Sequence, residues 1–313
     1  MLRYILKRLF AAVPVMAVVA LAVFSMMYAA PGNPAAIIAG DTASAAEVAA
    51  ITAKLGLDRP FLERLWVWVF QMLMGDFGSS IFSGLPVTTM IGQAIEPTIA
   101  LTISTTLLAI VVAIPMGVIA AWRVGTWIDR YIMLMSVAGF SVPVFLVSYI
   151  LVFTISNELQ WLPVQGYKPI ADGFIPFLRH ITLPTISLGF VYIALIARMT
   201  RAAMLDVLSE DYIRTARAKG LAEGPVLFIH ALKNAAIPIA TVIGIGIAFL
   251  IGGVVVTESV FAIPGLGRLT VDSVLRRDYP VIQAMVLFFA GIYVIINLLI
   301  DLSYALFDPR VRY

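Results

Sequence analysis

The sequence predicts an all-α polytopic membrane protein. Of its 313 residues, 61% are apolar and only 12% are charged, and the mean hydropathy is +1.00. The apolar and charged fractions are both far from those of ordinary soluble domains. The apolar residues also fall into long runs, and an α-helix needs about 20 apolar residues to cross a bilayer. These three observations together predict about six transmembrane helices.

The first predicted span is an uncleaved signal anchor. Arg3, Lys7 and Arg8 precede it, and it ends in small residues, so that it also resembles a cleaved signal peptide. The anchor is preferred because the remaining spans need a first one to keep the count even. The fourth predicted span is the shortest. In chain order the six are Ala11–Tyr28, Thr98–Ala121, Tyr131–Ile155, Leu183–Ala197, Ile237–Val256 and Val281–Ile300.

The stretch 31–97, between the first two spans, is far longer than a connector requires. Because structureless loops of that length are uncommon, we expect an ordered region outside the membrane. The chain is therefore divided into 1–30, which holds the first span, 31–97, and a five-helix core over 98–313.

The distribution of Lys and Arg predicts the orientation. With the N-terminus inside, the cytoplasmic pieces hold about 13 of the 21 basic residues, and cytoplasmic loops are normally the richer in Lys and Arg. Both termini are therefore predicted to be cytoplasmic.

Several spans contain proline, and the fifth is rich in glycine. Two interpretations stay open: close helix packing with tolerated kinks, or kinked helices that line a pathway which opens and closes. The residues concerned are Pro14, Pro115, Pro143, Pro184, Pro238, Gly244, Gly246, Gly252 and Gly253.

Residues that are missing from the sequence argue against several functions. The middles of the predicted spans carry no charge, which disfavours proton or sodium coupling. No lysine follows a glycine, as a phosphate-binding loop requires, so another chain must hydrolyse ATP if ATP powers transport. The chain has no cysteine, and its two histidines are isolated, so neither a catalytic site nor a metal site is expected. The basic residues form no stripe that could follow nucleic acid.

The segment from Glu210 to Pro238 is the most informative part of the chain. Acidic residues open a predicted short helix, and Gly220 can take the left-handed conformation that ends it. A second short helix is predicted to begin near Pro225. The residues alone leave open a solvated basic loop or an amphipathic helix that docks onto a partner. The apolar or small positions that favour docking are Tyr212, Ile213, Ala216 and Leu221.

This segment resembles the signature loop of binding-protein-dependent ABC permeases, in the form seen in the dipeptide and oligopeptide permease family. The matching runs are Arg214-Thr215-Ala216-Arg217-Ala218-Lys219-Gly220-Leu221 and His230-Ala231-Leu232-Lys233-Asn234-Ala235-Ala236-Ile237-Pro238. The general form of the loop opens with Glu-Ala-Ala, where this chain has Arg214-Thr215-Ala216.

Shorter runs resemble the same family in order and spacing along the whole chain. They are Pro31-Gly32-Asn33-Pro34-Ala35, Leu55-Gly56-Leu57-Asp58-Arg59-Pro60, Gly75-Asp76-Phe77-Gly78, the stretch from Glu258 to Leu269, and Arg277-Asp278-Tyr279-Pro280.

The resemblance implies a type I ABC importer permease fold with an extended periplasmic loop region after the first helix, in a bacterial inner (plasma) membrane. It implies a permease subunit, not an enzyme, that passes short peptides from a periplasmic binding protein to the cytoplasm. Nickel chelates, glutathione and oligosaccharides remain alternative cargoes, and an autonomous secondary transporter remains an alternative class. The implied partners are a second homologous permease, two cytoplasmic ABC ATPase subunits or domains, the solute-binding protein and membrane lipid. ATP and Mg²⁺ would bind the ATPase, and this chain itself would bind no cofactor.

The resemblance also implies two groups of site residues. A coupling loop at about 198–236 would contact the ATPase through Tyr212, Arg214, Ala216, Lys219, Gly220, Leu221, His230 and Asn234. A periplasmic gate that faces the binding protein would include Glu258, Phe261, Pro264, Gly265 and Gly267.

Overall fold

The computed structural model describes residues 2–29, 34–39, 43–54 and 58–307. These residues are almost entirely helical. Two of the family-like runs begin outside the described residues, since Pro31-Gly32-Asn33 and Leu55-Gly56-Leu57 are not among them.

The helices follow one another with short connections. The first part of the chain forms α1 (Leu2–Ala29), α2 (Pro34–Ala39), α3 (Ala45–Lys54), α4 (Phe61–Leu73) and α5 (Val87–Trp122). The middle forms α6 (Trp127–Ser141), α7 (Val144–Leu151) with a π-helical extension (Val152–Glu158), a 3₁₀ turn (Ile170–Asp172) and α8 (Phe174–Leu208). The remainder forms α9 (Asp211–Ala218), α10 (Glu223–Pro225), a π-helical segment (Val226–Ala231), α11 (Leu232–Gly253), α12 (Val255–Val260), α13 (Leu266–Arg276) and α14 (Tyr279–Phe307).

Among the described residues, five helical stretches are long and apolar enough to cross a membrane, and a bent helix pair makes a sixth if it counts as one span. The expected all-α polytopic class is therefore confirmed. The five stretches are Leu6–Met26, Val87–Trp122, Phe174–Leu208, Glu223–Ile251 and Tyr279–Leu302.

The third predicted span, Tyr131–Ile155, is wrong as one continuous helix. It is divided between α6 and α7, whose axes are bent by 99°. The break falls at Val142, which has an extended backbone (φ −89°, ψ 121°). Pro143 follows it, and proline both lacks an N–H group and disfavours the helical conformation of the residue before it. Other prolines lie inside continuous helices, namely Pro14, Pro115, Pro184 and Pro238.

Two further predictions need correction. The fourth span, predicted as the shortest, belongs to the 35-residue helix α8. The helix predicted near Pro225 is not a separate short element, because α10, the π-helical segment and α11 follow one another directly into the fifth span. The hydrogen-bonding pattern changes to that of a π-helix over Val226–Ala231, but the helix continues.

The chain forms two compact units. One comprises Ala94–Leu269 and the described residues 292–307, and in it α8 packs against α6, α7 and α11. The other comprises Leu2–Gln93 and Thr270–Gly291, and in it α1 contacts α4. The predicted division at residue 97 stays a prediction, although α5 already begins at Val87.

Glycines allow close helix contacts in the first of these units. A Cβ atom at Gly139 of α6 would lie 2.7 Å from the Cβ of Ala194 on α8. Cβ atoms at Gly244 and Gly246 would clash with Ile300 and Tyr192 respectively. These contacts support the close-packing interpretation of the glycine-rich fifth span.

Candidate functional site

The coupling segment, residues 211–235, begins with helix α9. Glu210 precedes the helix in an extended conformation, and Asp211 places a carboxylate near the positive N-terminal end. Gly220 follows the helix with φ +81°, a left-handed conformation that favours glycine. The Leu221 N–H closes this turn by donating to the Ala216 carbonyl at 3.3 Å. The helix and its glycine end therefore form as the sequence predicts.

One side chain anchors α9 to the rest of its own unit. Ile213 is fully buried and packs in an apolar cluster formed by α5, α8, α9 and the helical run from Val226 to Ile239. Ala216, half-buried, lies against the same cluster. The prediction that Ile213 faces a partner is therefore wrong, and Ala216 turns toward the chain's own core. The other cluster members include Val118, Ala203, Met204, Val226, Leu227, Ala231 and Ala235.

The opposite side of α9 is exposed. Asp211, Thr215 and Ala218 lie on this side, about half a turn from Ile213. Arg214 and Lys219 flank it and are also exposed. The outer side of α9 therefore presents Thr215, Ala218 and the Asp211 carboxylate at its centre. Arg214 and Lys219 add basic side chains at its edges, an arrangement that suits a close contact with a partner.

An ion pair connects α9 to the helix that follows. The Arg217 guanidinium donates to the two carboxylate oxygens of Glu223 at 2.9 and 3.2 Å. A second pair, Arg214 with Asp211 at 3.2 Å, lies within α9 and is highly exposed. Exposed ion pairs add little stability. The bidentate Arg217–Glu223 pair nevertheless restricts the orientation of α10 relative to α9.

Two further predicted coupling residues, Tyr212 of α9 and Asn234 of α11, interact with each other, and Asn234 also bonds the backbone of His230. Asn234 donates from its side-chain amide to the His230 carbonyl at 2.7 Å, and its side chain interacts with the hydroxyl of Tyr212. Partial burial raises the pKa of that hydroxyl, which keeps it neutral. These residues position α9 on the following helix, whereas Leu221 is exposed at the end of the turn.

An ion pair close to the coupling segment was not predicted from the sequence. Arg201 of α8 donates from Nε to Asp129 Oδ1 at 2.6 Å and from Nη2 to Asp129 Oδ2 at 2.8 Å. The Gly125 N–H donates to the same carboxylate at 3.0 Å. Arg201 lies three residues before Met204, which packs in the Ile213 cluster. The only sequence signal was a carboxylate in the first turn of an apolar run, and nothing in the spacing connects it with Arg201.

The Glu258 cluster lies in the same unit and consists of Thr98, Glu258 and the start of α13. Glu258 is fully buried, and its Oε1 accepts a hydrogen bond from the Thr98 hydroxyl at 2.6 Å. Its Oε2 accepts from the Arg268 N–H at 2.9 Å. Thr98 Oγ1 in turn accepts from the Leu266 N–H at 2.8 Å. The two side chains thus satisfy N–H groups that a helix N-terminus leaves without partners.

Burial raises the pKa of the Glu258 carboxyl, and the hydrogen bonds that it accepts from Thr98 and from the Arg268 and Gly267 backbone oppose this rise. A helix N-terminus also favours a negative charge. The Glu258 carboxyl group therefore accepts hydrogen bonds from the Thr98 hydroxyl and from backbone N–H groups at the start of a helix.

Two glycines make room for the carboxylate. A Cβ atom at Gly265 would clash with the Glu258 carboxyl group, and one at Gly267 would lie 2.9 Å from Val255 Cα and 3.0 Å from Glu258 Oε2. In the predicted turn over Pro264 to Gly267, glycine is therefore needed at positions 265 and 267 because the Glu258 carboxyl group lies too close for a larger side chain.

Four of the five predicted gate residues are inside the protein. Glu258, Phe261, Gly265 and Gly267 are buried, and only Pro264 is exposed. The Phe261 carbonyl accepts from the Gly166 N–H at 2.8 Å, which links this turn to the loop after α7. These four residues are therefore not at the surface of this chain, and their predicted role in an outer gate or in contact with a binding protein stays a prediction.

No metal centre emerges from the part of the chain that the structure describes, where no group of three or more His, Asp or Glu side chains could hold a metal ion.

These features define a class, a multi-pass helical membrane protein with a short helix that is packed on one side and exposed on the other. A family model described as "Binding-protein-dependent transport system inner membrane component" matches residues 113–313, and the corresponding N-terminal model matches residues 1–115. The chain belongs to this family of inner membrane components. It is a permease of a binding-protein-dependent ABC importer.

Curated relatives match over nearly the full length. The "Probable peptide ABC transporter permease protein y4tP" of Sinorhizobium fredii is 51% identical over 99% of both chains. The "Glutathione transport system permease protein GsiC" of Escherichia coli is 44% identical over 100% of both chains. The protein of the same name from Salmonella choleraesuis is also 44% identical.

A solved structure shares the fold. A chain of the MetNI methionine ABC transporter, in an inward-facing conformation, matches with a TM-score of 0.59 and 17% identity, over 71% of this chain and 97% of that chain. The expected ABC importer permease fold is therefore confirmed.

Proposed function

We propose that this permease pairs with a second, similar permease subunit and that two ABC ATPase subunits or domains drive the pair through helix α9. The main observation that supports this proposal is that α9 is buried on one side and exposed on the other. Ile213 holds one side on the core, and the opposite side exposes Thr215 and Ala218 between basic residues. When a partner bound to the exposed side moves α9, the buried contacts of Ile213 can transmit that movement to the helices of the core.

Movement of α9 has two routes into the spanning helices. The first route is the apolar cluster that Ile213 shares with Met204 of α8. The second is the ion pair of Arg217 with Glu223, which lies in α10 at the start of the continuous helical stretch that leads into α11. In the proposed cycle, ATP and Mg²⁺ bind the ATPase, and closure of the ATPase displaces α9 together with these two helices. This chain contributes no nucleotide-binding or hydrolytic residue to that cycle.

We propose short peptides, or a peptide-like solute such as glutathione, as the cargo. The proposal is supported by the relatives at 51% and 44% identity, which are named as peptide and glutathione permeases. A solute-binding protein would supply the cargo at the outer surface and set most of the specificity. Nickel chelates and oligosaccharides remain alternatives within the family.

We also propose that both termini are cytoplasmic. The excess of Lys and Arg in the pieces that contain α9 and the N-terminus supports this orientation. It places α9 on the side where an ATPase would find ATP.

Replacement of Ala218 by tryptophan tests the docking proposal. Ala218→Trp adds a bulky ring to the exposed side of α9 without a clash in its own chain. We expect the variant to fold and pair with the second permease, to lose the ATPase on mild purification, and to take up labelled peptide about tenfold more slowly or worse. Copurification and uptake into proteoliposomes measure these effects.

Ala49→Trp is the matched control. Ala49 is an exposed alanine on α3, in the stretch that is predicted to be periplasmic. This control should retain both the ATPase and uptake. A well-expressed Ala218→Trp variant that binds the ATPase normally and transports at the control rate would refute the docking role of α9.

A further inference from the structure

Helix α4 exposes an apolar face that the importer function does not use. Its exposed fractions are 75% for Leu62, 73% for Trp66, 53% for Phe70 and 80% for Leu73. At 3.6 residues per turn these four side chains lie within about a quarter of the helix circumference. The face is therefore a continuous strip of large apolar side chains.

The contacts of α4 with α1 set its depth. The Phe24 ring of α1 lies 5.4 Å from the Phe61 ring and 5.3 Å from the Trp68 ring. The Arg64 guanidinium lies 5.9 Å from the centre of the same Phe24 ring. Phe24 belongs to the last turn of the candidate span Leu6–Met26. Helix α4 therefore packs against one end of this candidate span.

The polar side of α4 lies about half a turn from Leu62 and consists of Gln71, which is exposed, and Arg64, which is half-buried. Glu63 is exposed at the edge of the strip, next to Phe70, and pairs with Arg59 at 3.1 Å. With 13 residues, α4 is about 20 Å long, too short to cross a bilayer. A short helix with one apolar and one polar side is typical of a helix that lies in the membrane interface, where Trp is enriched.

We infer that α4 is an interfacial helix whose Leu62, Trp66, Phe70 and Leu73 side chains insert into lipid at the Phe24 end of α1. Lipid is favoured over a protein partner because the strip lies at the depth where α1 itself still exposes Leu21 and Met26. The lipid-facing surface of the span thus continues onto α4. The helix would hold the chain that follows the first span at a defined depth.

The chain's lack of cysteine permits a direct test. Trp66→Cys and Phe70→Cys are each labelled with a nitroxide in the full transporter, assembled with cysteine-free partner subunits in vesicles of phosphatidylethanolamine and phosphatidylglycerol. Electron paramagnetic resonance then measures collision of each label with oxygen, which concentrates in lipid, and with a water-soluble nickel chelate. Gln71→Cys, on the polar side of the same helix, is the matched control.

We expect the ratio of oxygen to nickel collisions to be several-fold higher at positions 66 and 70 than at position 71. Equal nickel accessibility at all three positions would place the strip in water and overturn the inference. Protection of positions 66 and 70 from both reagents would show a covering protein and would overturn it equally. Leu73→Cys, on the same strip, replaces either variant if it assembles poorly. The readout does not depend on uptake, so it stands apart from any failure of the proposed function.

Discussion

At the scale of single residues, Glu258 shows how a carboxylate can be retained in the interior. Its oxygens accept hydrogen bonds from Thr98 and from the start of α13. A buried charge is costly unless hydrogen bonds compensate it, and here both oxygens accept hydrogen bonds. Glu258 therefore contributes hydrogen bonds at the start of α13, and the gate role that the family resemblance implies stays a prediction.

Replacement of Glu258 by glutamine tests this role. In Glu258→Gln one oxygen becomes an NH₂ group that faces a donor, so at least one N–H or hydroxyl group loses its acceptor. We expect the unfolding free energy to fall by about 1–3 kcal/mol, measured by denaturant titration of the purified protein.

Ser259→Ala is the control for that experiment. The Ser259 hydroxyl is exposed and bonds only within its own helix, to Val255, so its loss should change stability by about 0.5 kcal/mol or less. If Glu258→Gln were equally mild, the carboxylate would not be the feature that stabilises the start of α13.

At the scale of helices, the Asp129–Arg201 pair holds α6 on α8 beside the coupling segment. The two side chains are 6% and 24% exposed, and they form two parallel hydrogen bonds. Gly139 and Ala194 bring the same two helices close together farther along. We therefore regard α6 and α8 as a pair that moves as one when α9 is displaced.

A double-mutant cycle measures this link. Arg201→Ala should destabilise the protein by about 3 kcal/mol, because it leaves the buried Asp129 carboxylate without its ion-pair partner. Asp129→Ala should cost less, because the Arg201 side chain is 24% exposed and stays partly solvated. The double variant should lose less than the sum, with an interaction energy of about 1–3 kcal/mol. Thermal or denaturant unfolding of the four proteins gives the cycle.

The Asp211–Arg214 pair is the matched exposed control, with side chains 94% and 72% exposed. Its cycle should give about 0.5 kcal/mol or less. An Asp129–Arg201 interaction as small as this would mean that apolar packing alone joins α6 to α8.

At the scale of the whole molecule, the orientation in the membrane is open to a labelling test. Val124, in the turn between α5 and α6, and Asp172, between α7 and α8, are both exposed. The proposed orientation places position 124 in the cytoplasm and position 172 outside. In spheroplasts a membrane-impermeant maleimide should therefore label Asp172→Cys directly and Val124→Cys only after permeabilisation.

Unmodified protein, which has no cysteine, supplies the background of that assay. Labelling of position 124 but not 172 in sealed spheroplasts would reverse the orientation. It would also remove α9 from the compartment of the ATPase.

The sequence by itself determined the class of protein, the approximate spans and the start and end of α9. These depend on local properties, because transfer of an apolar run into lipid and the conformational freedom of Gly220 require no knowledge of distant residues. The family resemblance in the coupling loop is equally local, and the comparisons confirmed it.

Only the tertiary structure decided which side chains face inward and which distant ones meet. Pro143 predicted a kink, but neighbouring packing decides whether a proline is tolerated, as at Pro184, or divides a span by 99°, as at Pro143. Thr98 and Glu258 are 160 residues apart in sequence. The sequence around Ile213 does not show whether this side chain packs in the core of its own chain or against a partner. Side-chain direction and long-range pairing follow from helix packing, which the pattern of one segment does not contain.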